Sequence, residues 1–172
     1  MGVWQSLTDG DPDVDAIYRL AVGAPCRFRE RAPVVLKSGT LCPFNSQATA
    51  FRKSCFPLLF LPGSVSSRVT DILRGLVAQP ILWAAGLHLG FTSPTMVQER
   101  NHHDLVRDLE DELPLYRHAE DMAAAVMDAV RTGPSMEDNL RAAYQALAGA
   151  GLVDADEPRR VEAWLEDLAA VT

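Results

Sequence analysis

The sequence has 172 residues and a formal net charge of −7, with 48% of the residues hydrophobic and 23% charged. A chain of this size can bury a core as one domain, and its acidic balance argues against nucleic acid or an anionic membrane surface as the main partner. Its three cysteines, Cys26, Cys42 and Cys55, form no CxxC pair and leave one thiol over in any pairing. We therefore predict free thiols in a reducing, cytoplasmic compartment.

Neither a secretion signal nor a membrane segment is expected. Residues 1–15 carry four aspartates instead of a basic stretch followed by an apolar run. The most apolar region, residues 72–91, is interrupted by Arg74, Pro80 and His88, which favours a buried helix over a membrane span.

The first third of the chain predicts short strands and loops, because glycines and prolines separate its apolar runs. A helix should follow, with Thr70 or Asp71 as its cap and Pro80 kinking or dividing it. We then expect a short strand over residues 87–91 and a loop through Pro94.

The rest of the chain is rich in Ala, Leu and Glu and predicts helices over residues 103–130, 135–148 and 157–171, with start signals at Ser135 and Asp156. The predicted fold is α/β in front with a helical C-terminal tail. Gly133-Pro134 is a possible boundary, and we divide the chain into residues 1–130 and 131–172. Any chemistry should lie before about residue 110.

Four carboxylates occupy every second position from Asp9 to Asp15, including Asp11 and Asp13. In an extended segment they would lie on one side, where an oxygen-only cluster suits Mg²⁺, Mn²⁺ or Ca²⁺. The alternative is a solvated turn in which Asp13 or Asp15 caps a helix over residues 16–20. No metal site is assigned on this evidence.

Asp71 stands at a loop-to-helix junction with Arg68 and Arg74 three residues to either side. The arginines can keep the carboxylate ionised and hold phosphate or hydroxyl groups nearby. The alternative is an N-cap aspartate with local salt bridges.

Asn45, Ser46 and Gln47 form a polar run after a proline turn, which can bind sugar hydroxyls or satisfy a buried loop. The histidines lack the ligand spacing of a zinc site, and there is no GxSxG nucleophile elbow.

Five blocks of sequence occur in order along the front of the chain. They are VWQ (3–5), DPDVDAIYRL (11–20), GTLCPFNSQAT (39–49), RVTDILRG (68–75) and PTMVQERN (94–101). Together they resemble the C-terminal part of STELLO-like glycosyltransferases, and more distantly the reversibly glycosylated polypeptides, which are UDP-arabinopyranose mutases. The resemblance covers about residues 3–120 and leaves the tail from about residue 130 unassigned.

The resemblance implies a GT-A-like fold in which a nucleotide-sugar half comes first and the acceptor half, represented here, comes second. In these families Mn²⁺ or Mg²⁺ is held by an Asp-x-Asp motif that precedes the equivalent of Val3, so Asp9 and Asp11 are not assigned as that motif. Asp71 matches the aspartate of the family's Arg-x-x-Asp-Ile block. Leu73 replaces the usual tryptophan, which predicts a weaker stacking surface for a sugar or base.

Two hypotheses follow. In the first, the chain is the acceptor side of a nucleotide-sugar glycosyltransferase and is inactive alone. Asp71 is then the base, and Arg68 and Arg74 contact an anion. Asn45, Ser46 and Gln47 bind hydroxyl groups of a sugar or protein acceptor. A donor half or a second copy would be its partner, with a Golgi location if a longer natural chain carries an anchor. In the second, it is a non-catalytic remnant that acts as an interaction module through its tail. The first predicts that residues 68–75 face the 45–47 loop across a cleft.

Overall fold

Two long parallel strands form the centre of a four-stranded mixed sheet in the computed structural model, which describes residues 1–171. Strand order is β2-β4-β1-β3, with the two short edge strands antiparallel to their neighbours. The strands are β1 (Val3–Gly10), β2 (Val34–Val35), β3 (Thr49–Phe51) and β4 (Leu89–Gln98). The helices are α1 (Ala16–Ala21), a 3₁₀ helix (Lys53–Leu59), α2 (Thr70–Ala84), α3 (Leu105–Ala129), α4 (Met136–Gly149) and α5 (Glu157–Val171). An α/β fold with a helical C-terminal tail is thereby confirmed.

β4 is longer than the sequence predicts. It pairs with β1 from Leu89 onward and continues to Gln98, so the predicted loop through Pro94 is wrong. The strand survives because its pairing with β1 shifts register between Ser6 and Thr8, and residues 93–95 of β4 lie within that irregularity. A proline without an N–H is tolerated where ladder bonds are already interrupted.

The central helix, α2, is continuous through Pro80 and is buried from Leu73 to Leu82, so of the two predicted effects of Pro80 the division is wrong, while the kink stays a prediction. Its N-cap is Val69, and neither Thr70 nor Asp71 caps it, contrary to prediction. The reason is that the chain already turns before the helix, with the N–H groups of Val69 and Thr70 both bound by the carbonyl of Ser66. Both predicted caps are then inside the first turn, and their side chains bind elsewhere.

The three C-terminal helices share one hydrophobic core with the front of the chain. Ser135 caps α4 by accepting from the N–H of Asp138, as its sequence signal predicts. Phe60 packs edge-on against Tyr144 of α4 with ring centroids 5.0 Å apart, and Trp164 of α5 donates to the carbonyl of Pro57. The core is therefore continuous across residue 130.

The three cysteines are free thiols, as predicted. Burial raises the pKa of the Cys42 and Cys55 thiols. Among the helices of residues 1–171, none is both long enough and apolar enough to cross a membrane.

Close contact between α2 and the loop before β3 depends on Gly75. A Cβ there would lie 2.6 Å from the carbonyl oxygen of Phe44 and 3.1 Å from its ring. We expect Gly75→Ala to lower the free energy of unfolding by about 1–2 kcal/mol, since overpacking against a backbone atom should cost about 2–3 kcal/mol, the upper part of the usual range, and the better helix propensity offsets about 1. Urea denaturation, monitored by circular dichroism, measures this change in the free energy of unfolding.

Gly149 is the matched control, because it is also helical and a Cβ there would meet nothing within 4 Å. Gly149→Ala should be neutral or stabilising by up to about 1 kcal/mol. Equal responses at the two positions would contradict the packing argument.

Candidate functional site

A cavity of about 310 Å³ opens between the loop at Asn45, the first turn of α2 and the middle of α3. Its polar lining comes from segments far apart in the sequence, and includes Gln5, Asp13, Asp15, Asn45, Asp71 and Tyr116. Its apolar walls include Phe44, Ile72 and Leu115. A concave, mainly apolar site with a few convergent polar groups is the usual form of a small-molecule site.

Asp71 meets the 45–47 loop directly, as the sequence predicts. The Ser46 N–H donates to Asp71 Oδ2 at 2.7 Å, and Asp71 and Asn45 both line the cavity. Within residues 1–171, Asp71 forms no ion pair and Oδ1 accepts no hydrogen bond. One oxygen of the Asp71 carboxylate, Oδ2, is therefore bound within the chain, and the other, Oδ1, can accept a hydrogen bond from a ligand.

The rest of the 45–47 loop is held by its own hydrogen bonds. Gln5 donates to Asn45 Oδ1 and, at 3.2 Å, to the carbonyl of Gln47. Gln47 Oε1 accepts from the N–H of Asp13, and Asn45 Nδ2 donates to the carbonyl of Asp13. Of the three loop residues, Asn45 lines the cavity, while the Ser46 and Gln47 contacts fix the loop to its neighbours.

Arg68 lies at the cavity wall and is surrounded by carboxylates. Its guanidinium donates to Glu112 Oε1 from Nη2 at 2.5 Å and from Nε at 3.2 Å. Asp108 and Asp13 lie at 3.6 and 3.7 Å. Burial by itself would lower the pKa of Arg68, but the hydrogen bond and charge of Glu112, with the two aspartates, raise it. Contact between Arg68 and a bound anion stays a prediction.

Arg74 lies behind the cavity rather than in its wall. The residue is 5% exposed, and its guanidinium lies over the rings of Phe44 and Phe51, 5.7 and 5.2 Å from their centroids. Nη1 donates to Ser46 Oγ at 3.1 Å, while Nε and Nη2 are buried without a partner among the described residues. Burial lowers the pKa of Arg74. Two residues one helical turn apart in α2 therefore bind Ser46, Asp71 through its N–H and Arg74 through its hydroxyl.

The aspartate run forms separate contacts instead of one cluster. Asp15 is the N-cap of α1 and accepts from the N–H of Tyr18, so the capping interpretation is confirmed. Asp9 accepts from the N–H of Phe28, and Asp11 pairs with Arg19. Asp13 pairs with Arg100 at 2.7 Å as well as with Arg68. Each carboxylate therefore has its own donor within the chain.

Three residues of the site escaped sequence reasoning: Gln5, Glu112 and Tyr116. Glu112 is 5% exposed, and besides Arg68 it accepts from the N–H of Ala16 at 2.8 Å and the hydroxyl of Tyr116 at 3.2 Å. Burial, followed by the nearby carboxylates of Asp15 and Glu112, raises the pKa of Tyr116. The signal that could have found Glu112 and Tyr116 is the polar spacing Asp108, Glu112, Tyr116, four residues apart on one face of α3.

The lining carboxylates therefore differ in what they can do. Glu112 and Asp13 are neutralised by arginines, and Asp15 is engaged in a helix cap. Asp71 keeps an oxygen that can accept a hydrogen bond from a ligand hydroxyl or take its proton. The geometry favours a hydroxyl-bearing ligand with Asp71 as its acceptor.

Comparisons with known proteins point to one family. The model of the family described as STELLO glycosyltransferases matches residues 68–172, which include the helices after residue 130. Among curated proteins, the chain is 38% identical over 100 residues to "Probable glycosyltransferase STELLO2" and 36% identical over 99 residues to "Probable glycosyltransferase STELLO1", both from Arabidopsis thaliana. The alignments cover 55% and 54% of this chain and 13% of each relative, so the chain spans a small part of their length.

The buried Glu112 should be essential to the folded site. We expect Glu112→Ala to lower the free energy of unfolding by about 3 kcal/mol, because it leaves the charge of Arg68 buried with weaker partners and removes the acceptor of the Ala16 N–H. Glu120→Ala, at an exposed position of the same helix, should change it by less than about 0.5 kcal/mol. Similar values for the two variants would show that the ion pair does not stabilise the fold.

Proposed function

Because the chain belongs to the STELLO glycosyltransferase family, we propose that its cavity binds the acceptor in glycosyl transfer from a nucleotide sugar. The observation that carries the proposal is the state of Asp71, a cavity-lining carboxylate with no ion pair among residues 1–171 and one oxygen without a hydrogen bond. A carboxylate placed in this way can serve as a general base toward a hydroxyl group.

In the proposed step, Asp71 removes the proton of the acceptor hydroxyl as that oxygen attacks the anomeric carbon of the donor sugar. The bond from the anomeric carbon to the nucleotide diphosphate breaks, and the diphosphate leaves with the bonding electrons. Asn45 and Tyr116 line the same cavity and supply further hydrogen-bonding groups for the acceptor. Ser46, Gln47 and Arg74 position the loop and do not themselves line the cavity.

Electrostatics supports binding of the acceptor rather than the donor diphosphate. Among the described residues that line the cavity are four carboxylates, from Asp13, Asp15, Asp71 and Glu112. Arginines pair with Asp13 and Glu112, whereas Asp15 and Asp71 form no ion pair within residues 1–171. This lining repels a diphosphate and suits hydroxyl donors, because ionised carboxylates are acceptors only. We therefore propose a GT-A-like arrangement in which a donor-binding half supplies the nucleotide sugar.

The resemblance to metal-dependent families implies Mn²⁺ or Mg²⁺, but the residues described here do not fit such an ion. The aspartates of the 9–15 run are each bound by a donor within the chain, and residues 1–171 contain no group of three or more candidate ligands. If the reaction uses a divalent cation, we propose that the donor-binding half holds it.

Replacement of Asp71 by Asn tests the proposed base. Asn keeps an oxygen that can accept from the Ser46 N–H, so the free energy of unfolding should change by less than about 1 kcal/mol. In a polypeptide that carries this chain with its donor-binding half, kcat for transfer from a UDP- or GDP-sugar should fall at least about 100-fold, the usual range for loss of a general base. Asp128→Asn, an exposed change on α3, is the control and should alter neither quantity.

A variant that unfolds readily yet retains transfer would identify Asp71 as structural. We expect the chain alone to transfer no sugar. Turnover by the chain alone that stops on chelation would instead place a metal site among its own carboxylates. NMR titration of the chain with saccharides tests acceptor binding separately: shifts at Asn45 and Asp71 support the cavity, and their absence for every saccharide contradicts it.

A further inference from the structure

A second and larger depression, of about 600 Å³, lies on the neighbouring side of α3 from the cavity. We call it the α3 groove. It lies between α3, the loop at residues 64–66 and the turn that joins α4 to α5. Its floor is apolar and includes Val65, Leu73, Leu115, Met122 and Leu152.

The rim of the α3 groove is acidic. Glu110, Asp111 and Asp121 line it, and no lysine or arginine does so within the described chain. Two backbone features add to the negative potential. Pro114 has no N–H, so the carbonyl of Glu110 lacks its usual helical partner. The C-terminal end of α4, whose last turn has no basic residue, meets the groove at Ala150.

The chain itself carries a segment of complementary chemistry. Arg27, Arg29 and Arg31 are exposed and form no ion pair among residues 1–171, and Phe28 between them is 40% exposed. With the exposed carboxylate of Glu30 included, the segment keeps a net charge of +2. A basic segment with an exposed aromatic side chain matches an acidic rim around an apolar floor. This basic segment, residues 27–31, is not part of the lining of the α3 groove.

The basic segment is already ordered by its backbone. Cys26 exchanges two hydrogen bonds with Gly10, at 2.8 and 2.9 Å. The N–H of Phe28 donates to Asp9 Oδ1, and the N–H of Arg31 donates to Ser93 Oγ. The segment is thereby held beside β1 and β4 with its long side chains exposed. A preordered segment loses less conformational entropy on binding.

We propose that the α3 groove binds the basic segment of a second copy of this chain. Phe28 of one copy packs on the apolar floor of the other, and its arginines meet Glu110, Asp111 and Asp121. Each copy carries both surfaces, so a two-fold arrangement uses both contacts and closes a dimer. The proposal is independent of glycosyl transfer.

Charge reversal tests the pairing by analytical ultracentrifugation of the whole chain. At low salt and high protein concentration the wild type should sediment as a dimer, and about 1 M salt, where the screening length is about 3 Å, should shift it to monomer. Arg27→Glu with Arg29→Glu should give a monomer, and so should Glu110→Lys with Asp111→Lys. An equimolar mixture of the two double variants should restore the dimer, because each groove then faces a segment of opposite charge.

The control is Lys53→Glu with Arg159→Glu, which changes the net charge as much as the segment variant does, at exposed positions elsewhere. It should leave the dimer intact. A monomeric wild type, equal loss of dimer in the control, or no recovery on mixing would each overturn the proposal.

A labelled peptide of residues 24–33 gives a second measurement that does not depend on the folding of the segment variant. Fluorescence anisotropy should show that it binds the wild-type chain, and that Glu110→Lys with Asp111→Lys weakens binding at least about tenfold. A peptide with Ser in place of Phe28 should also bind more weakly. Equal binding to both proteins, or by both peptides, would overturn the proposal.

Discussion

The buried ion pair between Arg68 and Glu112 joins the segments that form the cavity. Glu112 extends from α3 and binds the start of α1 through Ala16, while Arg68 stands just before α2 and reaches Asp13. Two buried charges are tolerated only when hydrogen bonds satisfy them, and Glu112 has three different donor residues. The relative placement of α1, α2 and α3 is therefore constrained by one carboxylate.

This pair also explains why Asp71 remains unpaired. Asp71 has arginines on either side in the sequence, and simple proximity would predict a salt bridge. Arg68 is instead bound by Glu112, and Arg74 is packed against Phe44 and Phe51. Neither arginine therefore occupies the Asp71 oxygens, and Oδ1 accepts no hydrogen bond among residues 1–171. A general base needs such an open lone pair.

Local signals predicted much of this arrangement, and long-range contacts account for the rest. The caps at Asp15 and Ser135 were predictable because an N-cap bond spans three residues. The meeting of Asp71 with Ser46 was predicted because these are the two polar segments of an apolar stretch, and a site for a sugar hydroxyl needs a carboxylate and hydrogen-bonding groups to converge. The importance of Glu112 could not be predicted from local sequence, because its partners Arg68 and Ala16 are 44 and 96 residues away. The persistence of β4 past Pro94 likewise depends on pairing with β1, which no local window contains.

α3 lies between the cavity and the α3 groove, and it presents a different set of side chains to each. Residues at four-residue intervals, Asp108, Glu112 and Tyr116, face the Arg68 network, while Glu110, Pro114 and His118 face the α3 groove. Leu115 lines both cavities. The cavity and the α3 groove therefore share one helix as a common wall, and Leu115 is packed between them. The charges on that helix are divided accordingly, with the carboxylates that bind Arg68 on the cavity side and those of the groove rim on the other.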